Sequence, residues 1–437
     1  MHGWPQACRA PGGILNGDNA MDNNAYIEDI CLRARKASRA AGMLSSTVKT
    51  GALHSIARMV RERAGFIIAE NAKDMKAAAE AGLTSAFQDR LKLNEARIEA
   101  IAQSIEEIAL IDDPVGRVQD MKLRPSGIRV GQMRVPIGVV AVIYESRPNV
   151  TTDIAALCVK SGNACILRGG SESINSNRAL YAVIKDALRD SGVPADTVML
   201  VEQADRALVN ILLGMSGYID IVIPRGGQSL IDMVTRESSI PVIKHDKGVC
   251  HTYVDESAER EMAGSICVNA KVQRPSVCNA METLLVHELY PHTGELLALL
   301  EERGVELRGC PRTVKLFPGR ARPATEEDWH TEYGELILTV KIVDSMQGAM
   351  EHIAKYGSGH SDAIVTSDYF NAERFLREVD SAAVFVNSST RFHDGGEFGL
   401  GAEVGISTQK LHARGAMGIE GLTCLKYIVY GTGQVRQ

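Results

Sequence analysis

The sequence predicts an α/β protein made of two Rossmann-like parallel-sheet domains with a small β unit attached. Three observations carry this. Short continuous apolar runs alternate with helical patterns twice along the chain, as expected for βαβ units whose strands are buried on both faces. A more polar stretch rich in β-branched residues interrupts the first alternation, and a lone strand-like run stands near the end. At 437 residues the chain is too long for one compact core, so two or three domains are expected.

In chain order, residues 1–21 carry Pro5, Pro11 and several glycines and asparagines without an apolar core. They are expected to form a flexible extension and not a signal peptide, whose apolar region is missing. From Ala25 to about Leu110 the chain is Ala-rich and helical. Ile98, Ile101, Ile105 and Ile108 recur at spacings of three, four and three, the stripe of a helix packed on one side. Asn94 fits its N-cap, and Asp112-Asp113-Pro114 stops it. Arg117 to Val135 reads as a hairpin with turn points at Pro125-Ser126-Gly127 and Gly131, expected to protrude as an oligomerisation arm. Beyond Pro136, strands are expected at Gly138 to Tyr144, Ala164 to Leu167, Thr197 to Val201, Ile219 to Ile223 and Pro241 to Ile243, with helices such as Ser173 to Ser191 between them. A second alternation begins near Met281: strand to Val286, helix Thr293 to Glu302, strand Leu336 to Val343, helix Ser345 to Tyr356, strand Ala363 to Thr366, helix Phe370 to Val379 and strand Ala383 to Val386. Thr423 to Tyr430 is the lone strand, whose partner would be the arm or another subunit.

Composition narrows the function. Hydrophobic residues make up 45% and charged residues 23%, the balance of a soluble globular protein. A net charge of −6 with no basic block argues against a nucleic-acid binder. No apolar run approaches the roughly 20 residues needed to span a bilayer, so no membrane partner is expected. Nine cysteines, an odd number without C-x-x-C spacing, indicate neither a disulfide framework nor a zinc site, and no His/Cys/Asp cluster argues for a metal. Reduced thiols in a cytoplasmic enzyme are the simpler account.

Two predicted strand ends are glycine-rich and lead into helices: Leu167-Arg168-Gly169-Gly170-Ser171 and Ile223-Pro224-Arg225-Gly226-Gly227-Gln228-Ser229. Free helix N–H groups and the positive end of the helix dipole attract phosphate, and glycine lets a ligand approach the backbone. Neither matches G-x-G-x-x-G, and either alone reads equally well as a turn without a ligand. Two in one sheet, each with an arginine, favour a dinucleotide bearing an extra phosphate. Cys278 lies just past Arg274-Pro275 and just before the apolar run Met281 to Val286. A thiol at the mouth of a rigid strand can attack a carbonyl carbon, because the scaffold fixes its direction. The bland account is a small buried hydrophobe.

Several longer stretches then combine. Pro136-Ile-Gly-Val-Val-Ala-Val-Ile-Tyr-Glu-Ser-Arg-Pro-Asn149, Pro224-Arg-Gly-Gly-Gln-Ser229, Lys244-His-Asp-Lys-Gly-Val-Cys-His-Thr-Tyr253 and the Cys278 stretch resemble the gamma-glutamyl phosphate reductase (glutamate-5-semialdehyde dehydrogenase) family of the aldehyde dehydrogenase superfamily. So do Val343 to Ile364, with Met350 where a branched aliphatic is usual, and Val386-Asn-Ser-Ser-Thr-Arg-Phe-His-Asp-Gly-Gly-Glu-Phe-Gly-Leu-Gly401. The resemblance runs from about Asp22 to the end.

It implies an aldehyde-dehydrogenase-like fold: a cofactor-binding domain at 22–116 and 136–248, a catalytic domain at 249–415, and an oligomerisation arm at 117–135 and 416–437. It implies NADPH-dependent reduction of L-glutamyl 5-phosphate to L-glutamate 5-semialdehyde with release of phosphate, the second step of proline biosynthesis from glutamate. Cys278 matches the family nucleophile, which would carry a thioacyl group. Asn149 lies where the superfamily has an oxyanion-hole amide. For the cofactor, NADPH/NADP+, the resemblance puts Arg168, Gly169 and Ser171 near the adenosine ribose and its 2′-phosphate. Pro224, Arg225, Gly226, Gly227 and Ser229 fall near the pyrophosphate, and Glu332 near the nicotinamide ribose. Arg147, Arg274 and Arg391 are expected to hold the carboxylate and phosphate of the substrate. The segment His245-Asp-Lys-Gly-Val-Cys250 lacks the glutamate that hydrolytic aldehyde dehydrogenases use to activate water, consistent with phosphate as acyl acceptor. A homo-oligomer, dimer or tetramer, is expected. The chain is too short to hold a fused glutamate 5-kinase as well, so that enzyme would be a separate protein to which this one is functionally coupled. The rival reading is another acylating aldehyde dehydrogenase, acting on an acyl-CoA or free aldehyde.

Overall fold

The computed structural model describes residues 17–244 and 247–436. A helix spans Gly17–Ala41, so the last residues expected in the flexible extension, Gly17 to Met21, are helical. The remainder of the extension lies outside the described residues. Four more helices follow, and the last, Glu95–Leu110, buries Ile98, Ile101, Ile105 and Ile108 as their spacing predicts. The Asn94 side chain accepts the Arg97 N–H at its start, a cap that satisfies one of the free amides of the first turn.

The hairpin forms as expected from β1 (Val118–Leu123) and β2 (Arg129–Pro136), paired antiparallel. The first parallel sheet consists of β3 (Val139–Tyr144), β4 (Ala164–Arg168), β5 (Val198–Leu200) and β6 (Ile221–Arg225), in the order β5-β4-β3-β6. The expected strand at Pro241 to Ile243 shrinks to a single bridge between Val222 and Val242. It is the sheet's edge, where a short run has one neighbour only and no ladder to extend.

The second sheet is larger than the sequence suggested. It starts with β7 (Cys250–Val254), before Met281, and continues through β8 (Met281–His287), β9 (Glu306–Gly309), β10 (Ala321–Pro323), β11 (Ile337–Val343), β12 (Ser361–Val365) and β13 (Ala383–Val386). All seven strands are parallel, in the order β10-β9-β11-β8-β7-β12-β13. β7 was hidden because it reads Cys-His-Thr-Tyr-Val. Its polar residues are nevertheless buried, His251 donating its backbone N–H to Asp362 on β12 at 2.9 Å.

Two short antiparallel strands, β14 (Ile406–Ser407) and β15 (Gly415–Ala416), bring the chain back toward the first domain. Val404, Met417, Ile419 and Leu422 join the core built on β3 and β4, so the chain re-enters that core before residue 415. β16 (Thr423–Tyr430) then pairs with β2 along its whole length, Thr423 opposite Pro136 and Tyr430 opposite Arg129. The lone strand's partner is therefore the arm of the same chain. Leu425, Tyr427 and Val429 alternate onto an exposed face of this three-stranded sheet. No helix among the described residues is long and apolar enough to cross a membrane.

Candidate active site

β3 and β6 lie side by side with Tyr144 opposite Arg225, so the turns after both strands open at the same end of the first sheet. After Tyr144 the chain bends through Glu145-Ser146-Arg147-Pro148 into the helix Asn149–Lys160. Ser146 makes the bend with φ of 39°, a left-handed conformation that costs a non-glycine residue on the order of 1 kcal/mol or more. The bend presents both Arg147 and Asn149 to solvent.

Cys278 comes from the other sheet, in the loop that enters β8, and is half-buried. Gly248, just before β7, backs it: a Cβ there would lie 1.9 Å from the Cys278 carbonyl oxygen, so only glycine fits. The buried Cys250 thiol donates to the same carbonyl at 3.1 Å. Burial drives the Cys250 thiol well above its ordinary range, which keeps it protonated and able to donate. On the other side, the Asn279 amide donates to the carbonyl of His393 at 3.0 Å and accepts from the Arg391 guanidinium, while Thr390 Oγ1 donates to the Asn279 carbonyl at 2.7 Å. The backbone at Cys278 is thus clamped from two directions.

Burial pushes the Cys278 thiol up to about 11, and the Arg225 guanidinium opposes this most strongly. Glu403 and Glu332 face it and push the other way. Arg147 and Arg391 also act on this thiol. Loss of water around Arg147 lowers its guanidinium to about 10, with Arg225, Arg90 and Arg274 adding repulsion; solvent still reaches the residue. Arg391 is held by Gln273 at 2.8 Å and by Asn279, and burial beside Arg274 lowers it too. The three arginines singled out from sequence therefore converge, and Arg225 joins them. None of the four makes an ion pair with a described residue. Carboxylates act on two of them without an ion-pair contact, Asp153 and Glu403 on Arg225, and Asp394 and Glu397 on Arg391. Guanidinium groups left free of direct ion pairs near a thiol suit an anionic, multiply charged substrate.

Asn149 Nδ2 donates to Asp153 Oδ2 at 2.9 Å, one helical turn on. Nδ2 has two hydrogens, so this bond orients the amide and leaves its second N–H for another acceptor. Glu332 takes the Gly248 N–H, and burial raises its carboxyl. Gly334, two residues on, donates to Glu282 at 3.2 Å; Glu282 is in a fully buried ion pair with Lys271 at 2.5 Å. This pair anchors the loop that carries Glu332, whose carboxyl acts on Cys278.

The glycine-rich turns have internal explanations that sequence could not supply. A Cβ on Gly169 would strike the Asn177 amide at 2.1 Å, and one on Gly170 the Glu172 carboxylate at 2.1 Å. A Cβ on Gly226 would meet Glu145 Oε2 at 2.5 Å, and that oxygen accepts the Gly227 N–H at 2.9 Å. These glycines admit the protein's own side chains. Arg168 is buried at the end of β4, where it donates to the carbonyls of Gly169 at 3.0 Å and Ala204 at 3.2 Å. The sequence resemblance puts it near the adenosine ribose; in the structure part of its guanidinium is also engaged with the backbone, where the loop after β5 reaches it. Features that suit a dinucleotide remain. Arg168 Nε is buried without a partner, Ser171 and Arg206 are exposed nearby, and the first-turn amides of Gln228 and Ser229 donate to no described residue. Pro224, the residue before the end of β6, lies opposite Ile143, which places the Gly226–Ser229 turn beside the Arg147 bend. His245 and Asp246, and with them part of the segment without glutamate, lie outside the described residues. No group of three metal-binding side chains occurs among the described residues.

Residues that sequence reasoning gave no role are Glu145, Glu403, Asp153, Cys250, Asn279 and Gly248. Asn279 had a usable signal, an amide directly after the thiol. Glu403 had another, an acid in the otherwise small and apolar Leu400-Gly-Ala-Glu-Val-Gly405.

The family model described as "Aldehyde dehydrogenase family" matches residues 16–304. A gamma-glutamyl phosphate reductase of Desulfatibacillum aliphaticivorans is 55% identical over 421 residues, 95% of this chain and 100% of that protein. The chain belongs to the gamma-glutamyl phosphate reductases of the aldehyde dehydrogenase family. The gamma-glutamyl phosphate reductase of Carboxydothermus hydrogenoformans is 52% identical, covering 93% of this chain and 99% of that one. A crystal structure of gamma-glutamyl phosphate reductase from Thermotoga maritima superposes with a TM-score of 0.90 at 43% identity, covering 94% of this chain and 100% of that chain. An acetylating aldehyde dehydrogenase from Geobacillus thermoglucosidasius shares the fold, with a TM-score of 0.71 at 16% identity. The aldehyde-dehydrogenase-like fold expected from sequence is the fold of this family.

Proposed function

We propose that this chain reduces L-glutamyl 5-phosphate to L-glutamate 5-semialdehyde with release of phosphate, using NADPH, as the second step of proline biosynthesis from glutamate. The observation that carries the reading is the thiol of Cys278 among four arginines, none of them in an ion pair with a described residue, in a chain of this family. The substrate bears a phosphate and a carboxylate, and Arg147, Arg274 and Arg391 are its expected contacts.

The chemistry follows from the residues. The Cys278 thiolate attacks the acyl carbon, the C–O bond to phosphate breaks, and inorganic phosphate leaves as a thioester forms on sulfur. The free N–H of Asn149, oriented by Asp153, supports the negative oxygen that develops. A bound nicotinamide cofactor supplies the hydride that reduces the thioester carbon. Collapse of the resulting thiohemiacetal expels the aldehyde and restores the sulfur; a carboxyl such as Glu403 or Glu332, both raised by burial and facing the sulfur, is placed to exchange the proton. Arg225, Gly226, Gly227 and Ser229 with Pro224 are the expected pyrophosphate seat, and Glu332 the ribose contact. For NADPH over NADH, support comes from Arg168 Nε, Arg206 and Ser171 at the end of β4, beside Gly169. Glu172, the acid close by, is engaged with Ser146. The exposed apolar face of the β1-β2-β16 sheet supports a homo-oligomer, dimer or tetramer. A separate glutamate 5-kinase in the cytoplasm would supply the acyl phosphate.

The test is a coupled assay with L-glutamyl 5-phosphate and NADPH. One inorganic phosphate should appear per NADPH oxidised, and Cys278→Ala should abolish both. Turnover of an acyl-CoA in place of the acyl phosphate would overturn the reading in favour of another acylating dehydrogenase.

A further inference from the structure

Glu172 stands next to the place where this family's cofactor selection is expected, yet its carboxylate points away from that role. Oε1 accepts the Ser146 N–H at 2.7 Å and the Ser146 hydroxyl at 3.1 Å. Ser146 is the residue with φ of 39° that bends the chain from β3 toward Arg147 and Asn149. The carboxylate reaches it by lying directly over Gly170, where a Cβ would fall 2.1 Å from Oε1 and 2.3 Å from Oε2. Gly170 itself has φ −61° and ψ 154°, a conformation open to any residue, so its lack of a side chain serves Glu172 and not the backbone. Ser146 is nearly buried and its bend is strained, and strain of this kind persists only where neighbours over-determine it.

We propose that Glu172 is a positioning residue of the reaction: by holding Ser146 in the left-handed conformation, it aims Arg147 and Asn149 toward Cys278. The catalytic consequence rests on the functional reading above. The hold itself does not.

Three variants probe it. In Glu172→Ala the bend loses its acceptor. In Gly170→Ala the backbone is untroubled but the new methyl expels the carboxylate, so the two changes should share one phenotype. Glu172→Gln keeps an oxygen acceptor at the same place and should rescue. Each of the first two should lower kcat about tenfold or more, the scale of one lost hydrogen bond to a charged group, with the KM for NADPH changed less than about threefold. The double variant should be little worse than either single one, since both remove the same contact. The NADPH to NADH preference should stay constant throughout. Independently of turnover, hydrogen exchange at the Ser146 amide should accelerate in Glu172→Ala and Gly170→Ala and not in Glu172→Gln. Unchanged exchange there, additive losses in the double variant, unchanged kcat, or a shift of cofactor preference in Glu172→Gln would each overturn the proposal. Should the wild-type chain release no phosphate from L-glutamyl 5-phosphate, the functional reading fails instead, and exchange at Ser146 still decides whether Glu172 holds the bend.

Discussion

The ligand-free chain should carry Cys278 as a resting thiol, and its alkylation should expose this directly. Burial raises the group from its ordinary 9.0 to about 11. Two units correspond to an about hundredfold lower thiolate fraction at neutral pH than an exposed cysteine would have. Because thiolate is the reacting species, the rate of iodoacetamide modification at Cys278 should climb about tenfold per pH unit from pH 7 and bend only near pH 11. The measurement is peptide-resolved mass spectrometry of the full chain, which separates Cys278 from the half-buried Cys310 and the exposed Cys424. Arg225 is the group that most opposes the rise. Arg225→Gln should therefore slow modification at pH 8 by about threefold to tenfold, the effect of removing one charge across a few ångströms of partly screened protein. A rate that levels off below pH 9 would refute the reasoning, since it would mean a thiol already activated in the free protein. Faster modification in Arg225→Gln would refute it as well.

Three further outcomes are expected. Asn149→Ala should cost roughly 3–4 kcal/mol of barrier, seen as a kcat lowered by hundreds-fold with KM little changed in steady-state assays. Burial raises Asp153 from 3.8 to about 6, so as pH falls through about 6 it gains a proton and ceases to orient Asn149 as a carboxylate; kcat should fall on that limb, and Asp153→Asn should remove the limb from the pH profile. The stability term has the opposite sense: the fold favours the protonated form, so this group's contribution to stability rises as pH drops from about 6 toward 4. Lys271→Met should destabilise the protein by about 3–5 kcal/mol in denaturant titrations, because it strands the buried Glu282 carboxylate, and Lys271→Met with Glu282→Leu should recover much of the loss.

Local chemistry was readable where a residue's neighbours in sequence are also its neighbours in space. The cap at Asn94, the isoleucine stripe behind it, the hairpin at 118–136 and the continuous strands β3, β4 and β8 are of this kind. Strands that depend on a distant partner were not. β7 carries His251 and Thr252 into the interior because Asp362, 111 residues away from His251, is there to accept from it. The same limit governed the site. The thiol, the asparagine and the three arginines were all visible as residue types in matched stretches. The contacts of Glu145 and Glu172 were not: Glu145 fills the Gly226 turn of a neighbouring strand and Glu172 lies over Gly170 to reach Ser146, whereas sequence alone attributes such glycines to a ligand. The setting of Arg168 was hidden for a related reason: nothing local reveals that Ala204 will offer it a carbonyl.

The path of the chain through its two cores bears on how it is made. The hydrophobic clusters on the seven-stranded sheet fall, among the described residues, within 253–386, a contiguous stretch, with the buried Thr390 and His393 just beyond it. The core around β3 and β4 needs Val404, Met417, Ile419 and Leu422, and β2 waits for Thr423 to Tyr430 to cover its second edge. During synthesis from the N-terminus, the earlier half of the chain therefore emerges first and is finished last. Until then, β2 offers an open strand edge on the ribosome, the kind of surface that pairs with whatever strand arrives. The middle of the chain completes its hydrophobic clusters first, and the stretch from Val404 to Tyr430 decides when the rest can follow.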